Sequence, residues 1–207
     1  MISKKKILII GGMGFIGHNL AISLKKQGHI VKIIDSLQIN NILSLKDNPL
    51  DYPNHKITRK FLLDRKKLIK KNKIIFDKLD ARNYHKLCKS VDQFNPNVLI
   101  HLAAVSHAAK SNKNPFTTFD HSLRTLENAI DSVKNKNVHF IYFSSSMVYG
   151  DFKKNTVRET DELNPKGIYG SLKLSGELIV KAYHQVFNLN YTIVRPSALY
   201  GERCISR

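Results

Sequence analysis

The chain has 207 residues, enough for one domain with a well-filled core. Its formal net charge is +18 and its pI about 9.9. The lysines are spread along the chain rather than set in one stripe with aromatics, and Ile and Asn are abundant beside them, so no nucleic-acid partner is expected, although the overall field attracts an anionic substrate. Cys88 and Cys204 are far apart in no metal-ligand spacing, and are read as unpaired thiols of a reducing compartment. No His/Asp/Glu cluster has metal spacing, and neither a signal peptide nor a membrane-crossing apolar run is present; the expectation is a cytoplasmic protein with no metal and no membrane partner.

Taken in chain order, Lys6–Ile10 reads as a buried strand, followed by Gly11-Gly12-Met13-Gly14-Phe15-Ile16-Gly17 and then His18–Lys26 with helical apolar spacing. Strand, glycine turn and helix stand in the order of a dinucleotide-binding unit. A pyrophosphate must touch backbone N–H groups at a helix N-terminus, and side chains there would hold it away. Ile30–Ile34 is a second strand ending in Asp35, placed to accept hydrogen bonds from an adenosine ribose and to repel a 2′-phosphate, which favours NAD over NADP. Residues 36–72 read as an irregular basic insertion or lid with one helix, Phe61–Lys71, whose cluster Arg65-Lys66-Lys67-Leu68-Ile69-Lys70-Lys71 is expected to be a solvated face. The alternation continues with a strand Lys73–Asp77, a helix Asn83–Phe94 stopped by Asn95-Pro96-Asn97, and a strand Val98–Leu102 running into Ala103-Ala104. A helix Pro115–Val133 with proline in its first turn, a strand Val138–Phe143, a helix Tyr169–Phe187 and a strand Tyr191–Arg195 complete it. The expected class is α/β: a doubly wound, Rossmann-like parallel sheet with helices on both faces.

Ser145, Tyr169 and Lys173 are the candidate catalytic residues. The tyrosine and lysine lie four apart on a helix and share a face. An ammonium beside a phenol stabilises the phenolate, which can then take a proton from a sugar hydroxyl. Ser145, at a strand's carboxyl end, can hydrogen-bond the same oxygen, with Ser144 or Ser146 as alternatives. His101 reads as structural; His107 and Ser111 could line the pocket or lie on a surface loop.

These motifs resemble the extended short-chain dehydrogenase/reductase family, in particular its NAD-dependent nucleotide-sugar epimerase/dehydratase branch of UDP-glucose 4-epimerase-like enzymes. Gly11, Gly14 and Gly17 match its Gly-x-x-Gly-x-x-Gly; Asp35-Ser36-Leu37, Asp80-Ala81-Arg82-Asn83 and His101-Leu102-Ala103-Ala104 match its next three signatures. Ser144–Gly150, Tyr169-Gly170-Ser171-Leu172-Lys173 and Arg195–Gly201 resemble its serine run, its Tyr-Gly-x-Ser-Lys and its Arg-Pro-x-Asn-Val-Tyr-Gly. The resemblance implies NAD as cofactor, held by Gly11, Gly14, Phe15, Ile16, Gly17, Asp35, Asp80, Ala81, Leu102, Ala103, Ala104, Tyr169, Lys173 and Pro196, with Asp80 at the adenine amino group. It implies an epimerase of a nucleotide-activated sugar that inverts C4 through a transient 4-keto intermediate. Ser145-Ser146-Met147 stands where dehydratases of the branch carry Thr-Asp-Glu, so both eliminating acids are missing. His121, Arg124 and Ala198 also depart from the family's Asn, Gly and Asn. A dehydratase or reductase of the same branch, or a non-catalytic NAD-binding fragment, are the alternatives. The family's smaller C-terminal substrate domain would follow the sixth strand, so residues 1–207 are expected to be the NAD-binding domain alone, with the insertion at about 36–72. The resemblance further implies a nucleotide-sugar substrate, a homodimer through helices Pro115–Val133 and Tyr169–Phe187, and a part in making surface polysaccharide.

Overall fold

The computed structural model of the protein describes residues 3–205 apart from positions 48, 50, 51, 53, 107 and 154. Six strands, β1 (Lys6–Ile10), β2 (Ile30–Asp35), β3 (Ile75–Lys78), β4 (Val98–His101), β5 (His139–Phe143) and β6 (Tyr191–Val194), pair in parallel in the order β3-β2-β1-β4-β5-β6. The direction of winding reverses between β1 and β4, which puts helices on both faces and makes the strands near-continuous apolar runs.

The helices are α1 (Phe15–Lys26), α2 (Ile42–Asp47), α3 (His55–Lys71), α4 (Tyr84–Phe94), α5 (Ala108–Lys113), α6 (Pro115–Phe119), α7 (Thr125–Asp131) and α8 (Gly167–Phe187). The period-2 alternation of β1 divides the core. Leu8 and Ile10 pack with Leu87 and Val91 of α4, Leu126 and Ile130 of α7 and Val180 of α8; Ile7 and Ile9 pack with Ala21 of α1 and Ile69 of α3. Each such large apolar side chain contributes about 1.5–3 kcal/mol by leaving water. Helix ends follow local chemistry: the Asn83 side chain accepts from Lys86 N at the start of α4, the Asn114 side chain accepts from Thr117 N before Pro115, and Asn95 ends α4 in the left-handed conformation at φ 47°.

Four elements differ from the sequence expectation. Segment 36–72 is not irregular: it folds into α2 and α3, and α3 starts at His55 rather than Phe61. Thr58, Leu62, Arg65 and Ile69 are its buried stripe at helical spacing. Arg65 therefore leaves the solvated cluster: it is 2% exposed, whereas Lys66, Lys67, Lys70 and Lys71 are exposed. The segment also has its own small core of Leu45, Tyr52 and Leu62, against which Ile42 and Ile205 pack. The expected helix Pro115–Val133 is instead α6, a π turn Asp120–Arg124 and α7. A π turn leaves carbonyls without the usual partner, and the Thr125 hydroxyl meets two of them, donating to His121 O at 2.9 Å and Ser122 O at 3.2 Å. Finally α5 occupies a stretch expected to be loop, and its Ser111 is fully buried.

Gly11 follows β1 at φ +81°, and a Cβ there would lie 2.7 Å from Ala103 N, in the backbone after β4. Gly11→Ala should cost about 1–3 kcal/mol, from left-handed strain plus a backbone clash that no rotamer can relieve. Thermal unfolding checks this: a drop of several degrees is expected, against little change for a serine-to-alanine control on an exposed helix face.

Candidate active site

At the carboxyl ends of the strands, beside the β1/β4 reversal, lies a cavity of about 820 Å³. Every residue assigned from the sequence to cofactor binding or catalysis lines it: the Gly11–Gly17 turn, Asp35, Asp80 and Ala81, Leu102 to Ala104, Ser145, Tyr169, Lys173 and Pro196. His101 and Ser111 do not line it, and His107 lies outside the described residues. Sequence reasoning missed Asn40, Arg65, Ser106, Thr125 and Ile205 as lining residues, and Cys204, which the sequence puts near the site without a role, lines it too. The buried helical stripe of α3 was the available signal for Arg65, hidden by the lysines around it.

The end near β1–β3 has the groups that could hold a sugar-phosphate. Gly14 caps α1 without a side-chain hydrogen bond, and the first turn of α1 carries no acid, so its N–H groups and the positive end of the helix dipole face an anion unopposed. Asp35 Oδ2 accepts from Met13 N at 2.9 Å and Oδ1 from Leu37 N at 2.7 Å. Each oxygen keeps a lone pair for a ribose hydroxyl. Burial pushes this carboxyl up to about 6, against the pull of those two N–H groups and of Arg65. Burial also raises Asp80, but the Arg82 side chain and backbone N–H outweigh it and hold that carboxyl below the usual range. Arg82 reaches three segments at once: Asp80 at 2.7 Å, Asp120 of the π turn at 2.5 Å and Gln38 at 3.0 Å. The π turn is thereby pinned with His121 and Thr125 on the cavity wall.

The other end carries the candidate proton-transfer groups Tyr169, Lys173 and Ser145. Tyr169 and Lys173 project from the first half of α8, and Ser145 comes from the end of β5, where its hydroxyl also accepts from Met147 N of the turn Ser146–Tyr149 at 3.2 Å. The Ser145 side chain favours the ionised form of the Tyr169 phenol. Ser144 does not compete for that role: it donates to Glu177 Oε1 at 2.5 Å. The lysine-lowered phenol expected from the sequence is not what the geometry gives. Burial pushes Tyr169 up, and the pull of Ser145 the other way is the smaller effect. The Lys173 Nζ donates to Phe143 O at 2.6 Å and stands 6.0 Å from the Tyr169 ring centroid. Burial brings Lys173 down to about 8, while Glu177, one turn further along α8, favours its charged form. His101, stacked near Phe140 and Tyr142, is held neutral by burial and by the charge of Lys173.

Residues 7–207 match the model of the NAD dependent epimerase/dehydratase family. CapI of Staphylococcus aureus is 34% identical over 198 residues, covering 95% of this chain and 54% of that protein. A putative UDP-glucose 4-epimerase of Methanocaldococcus jannaschii is 30% identical over 199 residues, covering 95% of this chain and 57% of that one. The structure of UDP-glucuronic acid 4-epimerase from Bacillus cereus in complex with NAD aligns with a TM-score of 0.76 at 26% identity, over 97% of this chain and 59% of that chain. The chain thus spans about half the length of the curated relatives it matches. Matched along nearly its whole length, the chain belongs to the NAD dependent epimerase/dehydratase family.

Proposed function

We propose that this chain carries the NAD-binding and proton-transfer machinery of an epimerase acting at C4 of a nucleotide-activated sugar. One observation carries the reading. Ser145, Tyr169 and Lys173 share a cavity with the glycine turn, and the carboxylates lining that cavity, Asp35 and Asp80, stand at the end of β2 and just past β3 rather than after β5. Among the described lining residues no acid accompanies the tyrosine, as elimination of water would need; Met147 stands at that position and points 41% of its surface to solvent.

NAD, when bound, supplies a hydride acceptor for the sugar carbon and returns the hydride, so that no net redox change accumulates. The chain's own residues handle the proton. Tyr169 Oη takes the proton of the C4 hydroxyl and later gives it back, and Ser145 Oγ orients that hydroxyl oxygen. Because burial favours the neutral phenol, the tyrosine needs a positive charge brought to its oxygen; in this reading Lys173, 6.0 Å from the ring and bonded to Phe143 O, turns its ammonium to the phenol when substrate and cofactor are bound, with Glu177 behind it favouring the charged form. The 4-keto sugar then turns over before proton and hydride return. A homodimer fits the same reading, since Phe116 of α6 and Leu178 and Val186 of α8 leave apolar surface exposed on the two expected helices.

Tyr169→Phe should lower turnover of nucleotide sugars by about 10²–10⁴-fold, the usual contribution of a general base, while NAD affinity stays within about threefold. Coupled product assays and calorimetry read the two separately. Retained turnover would remove Tyr169 as the base, and NAD binding without conversion of any nucleotide sugar by the unmodified chain would favour the non-catalytic reading.

NAD affinity should also depend on pH through Asp35. Its folded pKa is raised to about 6. The ribose hydroxyls donate best to the ionised carboxylate, so below about pH 6 binding must first release a proton. Affinity is expected to be flat above that pH and to weaken towards about tenfold per pH unit below it. In Asp35→Asn that limb should vanish; calorimetric titrations between pH 5 and 8 measure both proteins.

A further inference from the structure

The segment 36–72 has no role in the reaction above, and neither do residues 202–205, yet the two meet at the Asp35 end of the cavity. The chain past β6 returns across the start of α1. Arg203, at φ 61°, sends its Nε to His18 Nε2 at 3.0 Å and its Nη2 to Asn19 Oδ1 at 3.0 Å; Asn19 Nδ2 donates back to Glu202 O at 3.3 Å. Arg65 of α3 donates from Nη2 to Arg203 O at 2.7 Å. Ile205 packs against the small core of Leu45, Tyr52 and Leu62. Cys204 and Ile205 thereby become part of the cavity wall, beside Arg65.

The connection reaches the glycine turn. With Arg203 Nε donating to Nε2, the proton of neutral His18 sits on Nδ1, which donates to Gly14 O at 2.8 Å. His18 is fully buried, and burial lowers its pKa to about 4, which keeps the ring in that single neutral form. One line of contacts therefore runs from Arg203 through His18 to the N-cap of α1, and a second from Arg203 O through Arg65 to the Asp35 side of the cavity.

We propose that residues 202–205 form a strap that closes the adenosine end of the cavity, with His18, Asn19 and Arg65 as its anchors, so that docking of the strap and binding of the dinucleotide stabilise each other. This rests on the NAD-binding reading above. It assigns the insertion a function: α2 and α3 are the floor on which the strap lies. By linkage, whatever loosens the strap weakens the dinucleotide by the same factor as the dinucleotide tightens the strap.

The test uses the whole chain with Cys88→Ser, leaving Cys204 as the reporter thiol, and measures its reaction with 4,4′-dithiodipyridine with and without saturating NAD. NAD binding is followed in parallel by calorimetry. NAD should slow labelling at least about tenfold, within the usual range of coupling between sites. Occlusion by the ligand alone would give the same slowing, so two further variants are needed. Arg203→Ala and Asn19→Ala change no side chain that lines the cavity. Each should weaken NAD by about five- to fiftyfold and speed Cys204 labelling without NAD, while circular dichroism shows the fold retained. NAD binding with Cys204 labelling unchanged, or unchanged NAD affinity in both folded variants, overturns the strap coupling alone. Absence of any NAD binding by the unmodified chain overturns the cofactor reading and the strap with it.

Discussion

The rest of the site depends on how closely the backbone leaving β1 approaches the backbone leaving β4. Leu102 N donates to Ile10 O at 2.9 Å and Gly11 N to Ile34 O at 2.8 Å, so the ends of β2, β1 and β4 remain joined past the sheet itself. A side chain on Gly11 would collide with Ala103 N, and one on Gly17 would lie 2.5 Å from Gly12 Cα. The glycine turn therefore lies flat between two strand ends and presents N–H groups rather than side chains. Parallel pairing aligns all six carboxyl ends at one edge, and the reversal of winding at β1/β4 opens the crevice there. Asp35, Asp80, Ala103, Ser145 and Pro196 reach one cavity because each stands at or just beyond a strand end.

A second constraint holds the catalytic end rigid. Glu177 has no exposed surface, and its carboxylate is met by Arg195 Nε at 2.9 Å, Arg195 Nη2 at 2.7 Å and the Ser144 hydroxyl. Arg195 Nη1 extends the network to the Tyr149 hydroxyl and to Glu159 O, both at 2.9 Å. A buried ion pair of this kind gives little net stability, yet loss of one partner is expensive because it strands the other charge. What it provides is geometry: the end of β5, the end of β6 and α8 share one fork of hydrogen bonds. Ser145 follows Ser144 directly, and Lys173 lies one turn before Glu177, so neither of these candidate side chains can shift without disturbing the network.

The legible parts of the sequence were those where one rule acts alone. Apolar runs bounded by turn residues marked the strands most plainly at β1, β2 and β4, since a strand buried on both faces needs no partner information to be recognised. The glycine turn and the Tyr169/Lys173 pair were legible because their spacing is their geometry. The illegible parts were decided by tertiary contacts. Arg65 looks solvated among four lysines, but its position on α3 turns it inward against the strap. The π turn depends on Arg82, thirty-eight positions away, binding Asp120. The strap is a stretch without periodicity, given its place by His18 and Asn19 of α1. In each case the partner lies far along the chain, where local pattern carries no signal.

The electrostatics of the two ends share one logic. Burial moves Asp35 up to about 6 and Lys173 down to about 8, each toward its neutral form. Neither is neutralised outright, because each has a compensating group: Leu37 N, Met13 N and Arg65 for the carboxylate, Glu177 for the ammonium. Both charges are therefore held short of full solvation, with fixed dipoles standing in for part of their water. A ligand that brings hydroxyl donors to Asp35 and an oxygen to Tyr169 and Lys173 completes those shells without displacing tightly hydrated ions. Because the supporting dipoles are already oriented by the β1/β4 crossing and by the Glu177 fork, little reorganisation is left for the moment of reaction.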